Sequence, residues 1–290
     1  MPVSVDLHPN QQLPTFIYGT AWKEERTESL TTQALQAGFR AIDTANQRRH
    51  YHEAGVGAGL QAAYDEGITQ RNELFLQTKF TYINGQDHRL PYSPEAGYAT
   101  QVEQSFESSL EHLQTDYLDS YVLHGPLYRE GFNQEDREVW SAMERLHQAG
   151  RVQFLGVSNV NPEQLAQLCD HARVKPAFVQ NRCYARLGWD RAVREVCAQN
   201  DIIYQGFSLL TANPEVFLEP RFNLICDRVE RTPAQVIFRF CHQIGILPLT
   251  GTTNPERMRL DLRTSDFELT PAQVETIETI SNFPIFHEDI

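Results

Sequence analysis

Short apolar runs recur along the chain, separated by longer amphipathic stretches. The runs cover 16–19, 41–43, 74–78, 118–123, 154–157, 177–180, 202–206 and 246–248. Most are short and lack polar alternation, the pattern of strands covered on both faces in a parallel sheet. Helical spacing fills the intervals. Val102, Phe106, Leu110 and Leu113 fall three and four apart, as do Val139, Met143 and Leu146, with Gly150 placed to stop the second helix. Thr232-Pro233 and Thr270-Pro271 have the N-cap and first-turn proline of helix starts, ahead of Val236 and Phe240 and of Val274, Ile277 and Ile280.

Strands alternating with helices predict a closed barrel or a doubly wound sheet. A dinucleotide-binding open sheet would carry G-x-G-x-x-G after its first strand, whereas Gly19 is followed by Thr20, Ala21 and Trp22. Gly55, Gly57 and Gly59 fall instead in a predicted helix after the second strand. The expected fold is therefore α/β: a (β/α)8 TIM barrel, one domain over 1–290, with a short N-terminal β-hairpin and a brief C-terminal tail over 281–290. No low-complexity segment or Gly/Ser linker divides the chain. Functional side chains in such a barrel gather at the C-terminal ends of the strands.

Composition narrows the function classes. The chain has 290 residues, 41% hydrophobic and 22% charged, enough for a substantial core. A formal charge of -13 argues against a general nucleic-acid or anionic-membrane surface, while leaving room for an anionic ligand in a local pocket. No apolar run is long enough to span a bilayer, and the first ten residues lack the apolar core of a signal peptide. Five widely spaced cysteines fit neither a disulfide framework nor a metal knuckle. These features predict a cytoplasmic protein with reduced, packed cysteines. It is expected to be a monomer, because no heptad or long apolar helix face suggests an obligate interface.

Four polar residues fall where a barrel places its chemistry. Asp43, Lys79 and His124 each end an apolar run, and Tyr51 lies in the loop just beyond Asp43. A phenol ionises near pH 10, and a neighbouring ammonium lowers that value by stabilising the phenolate.

The chain resembles the aldo-keto reductases over nearly its whole length. The matching pieces are Gly19-Thr20-Ala21-Trp22-Lys23, Ile42-Asp43-Thr44-Ala45, Glu53-Ala54-Gly55-Val56-Gly57, Thr78-Lys79 and Leu123-His124-Gly125-Pro126. Later come Gly156-Val157-Ser158-Asn159, Gln180-Asn181 and Asn254-Pro255-Glu256-Arg257. The resemblance implies carbonyl reduction with a catalytic tetrad of Asp43, Tyr51, Lys79 and His124. Such a reduction requires a hydride donor on one side and a proton for the oxygen. In this tetrad Lys79 supplies the charge that favours the Tyr51 phenolate, Asp43 holds the lysine, and His124 orients the carbonyl oxygen beside Tyr51. Relatives place the tyrosine three residues before the glutamate, which counts back from Glu53 to His50. The loop here is longer by two residues, so a bulge over residues 46–50 is needed to bring Tyr51 to that place, and His50 is its rival.

The resemblance also implies a nicotinamide cofactor, NADPH in preference to NADH. Ser158, Asn159 and Gln180 match the trio that binds the carboxamide, and Phe207 takes the place of a stacked tyrosine. Thr20, Ser208 and Leu210 are further expected cofactor contacts. Thr250, Gly251, Thr252 and Thr253 follow the last strand and open a helix, where hydroxyls and unpaired backbone N–H groups suit a phosphate, and Arg257 is placed to clamp a 2′-phosphate. Leu249 stands where many relatives have a phosphate-binding lysine. Trp22, Tyr51, Tyr82 and His124 are expected to line the substrate site. Gly125 replaces a common tryptophan, which predicts an open pocket for varied aldehydes, including aromatic and dicarbonyl ones.

Three other functions compete. A nicotinamide-binding regulatory subunit would share the fold without turnover. A Schiff-base lyase would use Lys79 as nucleophile, against the charge that Asp43 should hold on it. A metal hydrolase is the weakest reading: His50 and His52 form an H-x-H in a loop rather than at a strand end, and no H-E-x-x-H helix is present, so no metal is expected.

Overall fold

The computed structural model describes residues 14–280; the expected N-terminal hairpin and the tail over 281–290 lie outside them. Eight parallel strands close into a barrel in sequence order: β1 (Ile17–Gly19), β2 (Ala41–Asp43), β3 (Phe75–Phe80), β4 (Leu118–Leu123), β5 (Val152–Ser158), β6 (Phe178–Arg182), β7 (Ile203–Phe207) and β8 (Ile246–Thr250). The ring shuts where Ile17 of β1 pairs with Leu249 of β8. Every predicted run became a strand. β3 continues to Phe80, so Lys79 sits inside it rather than at its end.

The helical layer comprises α1 (Thr27–Ala37), α2 (Glu53–Asp65), α3 (Tyr98–Leu113), α4 (Gln134–Gln148), α5 (Pro162–His171), α6 (Arg191–Gln199), α7 (Pro214–Leu218), α8 (Pro220–Val229), α9 (Pro233–Gln243), α10 (Pro255–Asp261) and α11 (Pro271–Thr279). The expected starts are capped as their sequences dictate. Thr232 and Thr270 accept from the backbone N–H of Gln235 and Gln273 in full capping boxes. Gly150, at φ 72°, turns the chain after α4.

The glycines of α2 are explained by packing. A Cβ on Gly57 would lie 1.9 Å from the carbonyl oxygen of His112, near the end of α3. One on Gly59 would lie 2.7 Å from the carbonyl oxygen of Glu28 in α1. Gly57 and Gly59 thus let α2 lie close against both neighbours.

Strand alternation sorts side chains between the helical layer and the barrel interior. Inside, Ile17, Ala41, Phe75, Phe178, Leu247 and Leu249 form an apolar plug. Asp43, Gln77, Gln180 and Gln205 follow as a hydrogen-bonded polar set. Lys79, Arg182 and Phe207 lie farther toward the C-terminal mouth on the same inward face. All five cysteines are buried and free, and burial holds each thiol above its usual range. Among the described residues, no helix is long and apolar enough to cross a membrane.

Candidate active site

Asp43 and Lys79 form a buried ion pair. The lysine Nζ lies 2.7 Å from both carboxylate oxygens and donates also to the Thr44 carbonyl at 2.7 Å. Gln77 and Gln180 donate to Asp43 Oδ1 at 2.8 and 2.9 Å, while Gln205 joins the two glutamines. This satisfaction matters because an unpaired buried charge costs several kcal/mol. Burial pulls the Lys79 ammonium below its usual range, and Asp43 opposes that pull.

The loop after β2 delivers the aromatic partner. Gln47 accepts from the backbone N–H of both His50 (3.2 Å) and Tyr51 (3.0 Å), so the two extra residues fold into a compact turn. Gln47 donates to the Gly85 carbonyl at 2.7 Å, and Asn46 donates to the Ser105 carbonyl at 3.1 Å, pinning that turn from two sides. Tyr51 is thereby set with its ring 5.3 Å from Lys79 Nζ and 6.0 Å from the His124 ring. His50 turns instead against Trp22, ring centroids 4.1 Å apart. Trp22 is held at φ 61° while its N–H donates to the His50 carbonyl at 2.7 Å. Its ring is 65% exposed at the mouth.

Two electrostatic findings revise the expectation. The Tyr51 phenol is held well above 10, first by burial and then by the Asp43 charge. Without a bound ligand, the ammonium therefore does not produce the net lowering expected from Lys79. His124 is pushed down to about 3 by burial and by Lys79, so its imidazole is neutral. Its Nδ1 lies 2.7 Å from the Thr81 hydroxyl, a partner absent from the sequence reading.

The expected cofactor residues fall into two groups. Ser158 donates to the Gln180 carbonyl at 2.5 Å, and Asn159 donates to the His124 carbonyl at 2.7 Å. Phe207, Ser208 and Leu210, at the end of β7 and just beyond it, are half-buried. Thr20 is fully buried, its hydroxyl donating to the Asp43 carbonyl at 2.9 Å. In the second group, Thr250 donates to Asp261 at 2.8 Å, Gly251 accepts from Lys23, and the Thr252 carbonyl accepts from Tyr18 at 3.0 Å. Thr253 and Arg257 are exposed.

Two details correct the sequence reading. The first backbone N–H groups of α10 are not all unpaired, because Asn254 Oδ1 accepts from Glu256 and Arg257. Tyr82 does not reach the mouth: strand alternation turns it outward, and its hydroxyl donates to Asp136 at 2.9 Å in the helical layer. Lys23 was overlooked. It is 7% exposed and, among the described residues, has no carboxylate within ion-pair distance. Gly125 opens one wall, lining with Pro126, Tyr128 and Asn159 a depression of about 480 Å³.

The Aldo/keto reductase family model matches residues 16–213. The chain belongs to the aldo/keto reductase family. Its members named in the comparison include an aldo-keto reductase of Mycobacterium avium (strain 104), 33% identical, with 95% of this chain and 88% of that protein covered. A glyoxal reductase of Bacillus subtilis (strain 168) is 30% identical, covering 97% and 95%. In fold, the chain is similar to the crystal structure of a Bombyx mori aldo-keto reductase in complex with NADP. The TM-score is 0.80 at 23% identity, covering 96% of this chain and 93% of the other. As an aldo/keto reductase family member the protein is an oxidoreductase, built on the family's barrel.

Proposed function

We propose that this aldo/keto reductase reduces aldehydes and ketones to alcohols with NADPH, and that Asp43, Tyr51, Lys79 and His124 carry the proton half of the reaction. The observation that supports this most strongly is the buried Lys79–Asp43 pair beside Tyr51, with the neutral His124 ring 6.0 Å from the Tyr51 ring.

The donor set fits a nicotinamide dinucleotide. Lys23 is a buried ammonium whose neighbour is a carbonyl rather than a carboxylate, an arrangement suited to an anionic phosphate. Ser158, Asn159 and Gln180 offer amide and hydroxyl groups toward a carboxamide, and Phe207 offers a ring face. When bound, the cofactor supplies the hydride to the carbonyl carbon. Tyr51 gives its proton to the carbonyl oxygen, and Lys79 stabilises the phenolate left behind. With the Thr81 hydroxyl donating to Nδ1, neutral His124 keeps its proton on Nε2 for a hydrogen bond to the same oxygen. Exposed Trp22 and the opening at Gly125 suit substrates of varied shape, and the similarity to a glyoxal reductase supports including dicarbonyls among those proposed.

The deciding assay follows NADPH absorbance with a reactive aromatic aldehyde. Tyr51→Phe should lose turnover and His50→Ala should keep it, both variants remaining folded and binding NADPH. The opposite pattern assigns the proton to His50. No turnover by the unaltered protein on any carbonyl, with NADPH bound, moves the reading to a non-catalytic nicotinamide sensor.

A further inference from the structure

Alternation along β6 sends Asn181 outward, where it donates to the Val160 carbonyl at 2.8 Å and to Asp190 at 2.9 Å. Gln180 and Arg182 therefore face the barrel axis, Gln180 down toward Asp43 and Arg182 one pleat nearer the mouth. Register pairs Arg182 with Phe207 of β7, and its guanidinium carbon lies 5.6 Å from the centre of that ring. The nearest acidic residue along this loop, Asp190, lies on the outward side and accepts from Asn181 and Tyr204. Among the described residues no carboxylate lies within ion-pair distance of Arg182. The other inward cation of this region, Lys79, is neutralised by Asp43. A fixed positive charge without a counter-ion thus stands beside the aromatic face proposed for the nicotinamide.

We infer that Arg182 makes this site discriminate against the oxidised cofactor, an inference that rests on the nicotinamide reading above. A reduced nicotinamide ring is neutral, and after giving up a hydride it carries one positive charge. The phosphates are equally charged in both forms, so they cancel in the ratio of affinities. What remains is the repulsion between the guanidinium and the oxidised ring. Arg182 is exposed, so solvent screens the repulsion, and the effect on the ratio is about threefold to tenfold. An anion contact to the cofactor phosphates would act differently, strengthening both forms alike.

Titration calorimetry of the whole chain with NADPH and with NADP+ separates these outcomes. The unaltered protein should bind NADPH more tightly. Arg182→Gln should tighten NADP+ by about threefold to tenfold with little change for NADPH, and Arg182→Lys, which keeps the charge, should restore the original ratio. A tenfold change in that ratio corresponds to about 30 mV in the potential of the bound cofactor. Equal weakening of both forms in Arg182→Gln overturns the inference and makes Arg182 a phosphate contact. An unchanged ratio in a protein that binds both forms overturns it as well, leaving the reductase reading intact. Binding of neither form by the unaltered protein overturns the nicotinamide reading and the inference together.

Discussion

Thr81 shows how much of the proposed chemistry rests on residues outside the tetrad. It stands two positions beyond Lys79, which stands two beyond Gln77, so all three share the inward face of one strand path. Gln77 holds Asp43, Lys79 charges the site, and Thr81 engages His124 Nδ1 at 2.7 Å. Thr81→Val keeps the shape and deletes the hydroxyl, leaving an imidazole nitrogen without its partner. Losing one such bond costs about 1 kcal/mol, so kcat/KM should fall by about fivefold while NADPH affinity stays unchanged. Thr81→Ser should restore it. A variant with full activity would mean that packing alone orients His124. The period-two spacing of Gln77 and Lys79 was readable in the sequence, but its continuation to Thr81, beyond the end of β3, was not. Gln205 was not: its bond to Gln77 joins residues 128 positions apart, and nothing local to either announces it.

At the scale of elements, the strands were legible because burial on both faces leaves uninterrupted apolar runs, and the helix starts because capping is local chemistry. The loop after β2 was less so. Its length left Tyr51 and His50 as alternatives, and only the turn closed on the Gln47 carbonyl, braced by Gly85 and Ser105, separates them in space. Tyr82 was misplaced for a related reason: the loop following β3 keeps the outward phase of the strand, which the sequence did not reveal. Helix α2 makes a sharper point. Gly57 carries no turn and no positive φ, yet a Cβ there would lie 1.9 Å from a backbone oxygen that cannot swing aside. Gly57→Ala should therefore force α2 away from α3 and lower stability by about 2–3 kcal/mol, despite alanine's better helix propensity. Urea unfolding measures this. A neutral or stabilising result would show that the helices separate at little cost. Because Glu53, at the start of α2, accepts from Thr78 next to Lys79, the variant should also reduce turnover.

The molecule as a whole balances buried groups that titrate in opposite senses. Burial pushes Asp261, behind the loop after β8, up to about 6 from 3.8, with the Thr250 hydroxyl opposing the shift. Its contribution is thus present below about pH 3.8 and lost as pH rises through 6. His242 is lowered to about 4 by burial and Arg239, and His124 to about 3 by burial and Lys79. Their contributions are present above the unfolded value of 6.5 and lost as pH falls toward 4 and 3. Between pH 4 and 6, these three groups leave the unfolded chain holding about one proton more than the native one. Stability should consequently fall by about 1.4 kcal/mol for each unit of acidification in that window. Asp261→Asn removes the opposing group while leaving an oxygen to accept from Thr250. The variant should be more stable than the unaltered protein at pH 8, by up to about 3 kcal/mol. It should lose that advantage as pH falls through 6, vanishing below 4, with a slope nearly twice as steep. Urea midpoints of both proteins at pH 8, 6 and 5 test the sign directly. No gain at pH 8 would mean that Arg257, the cation nearest Asp261 on α10, already compensates the buried charge, and that the loop proposed for the phosphate is electrostatically tied to the helix behind it.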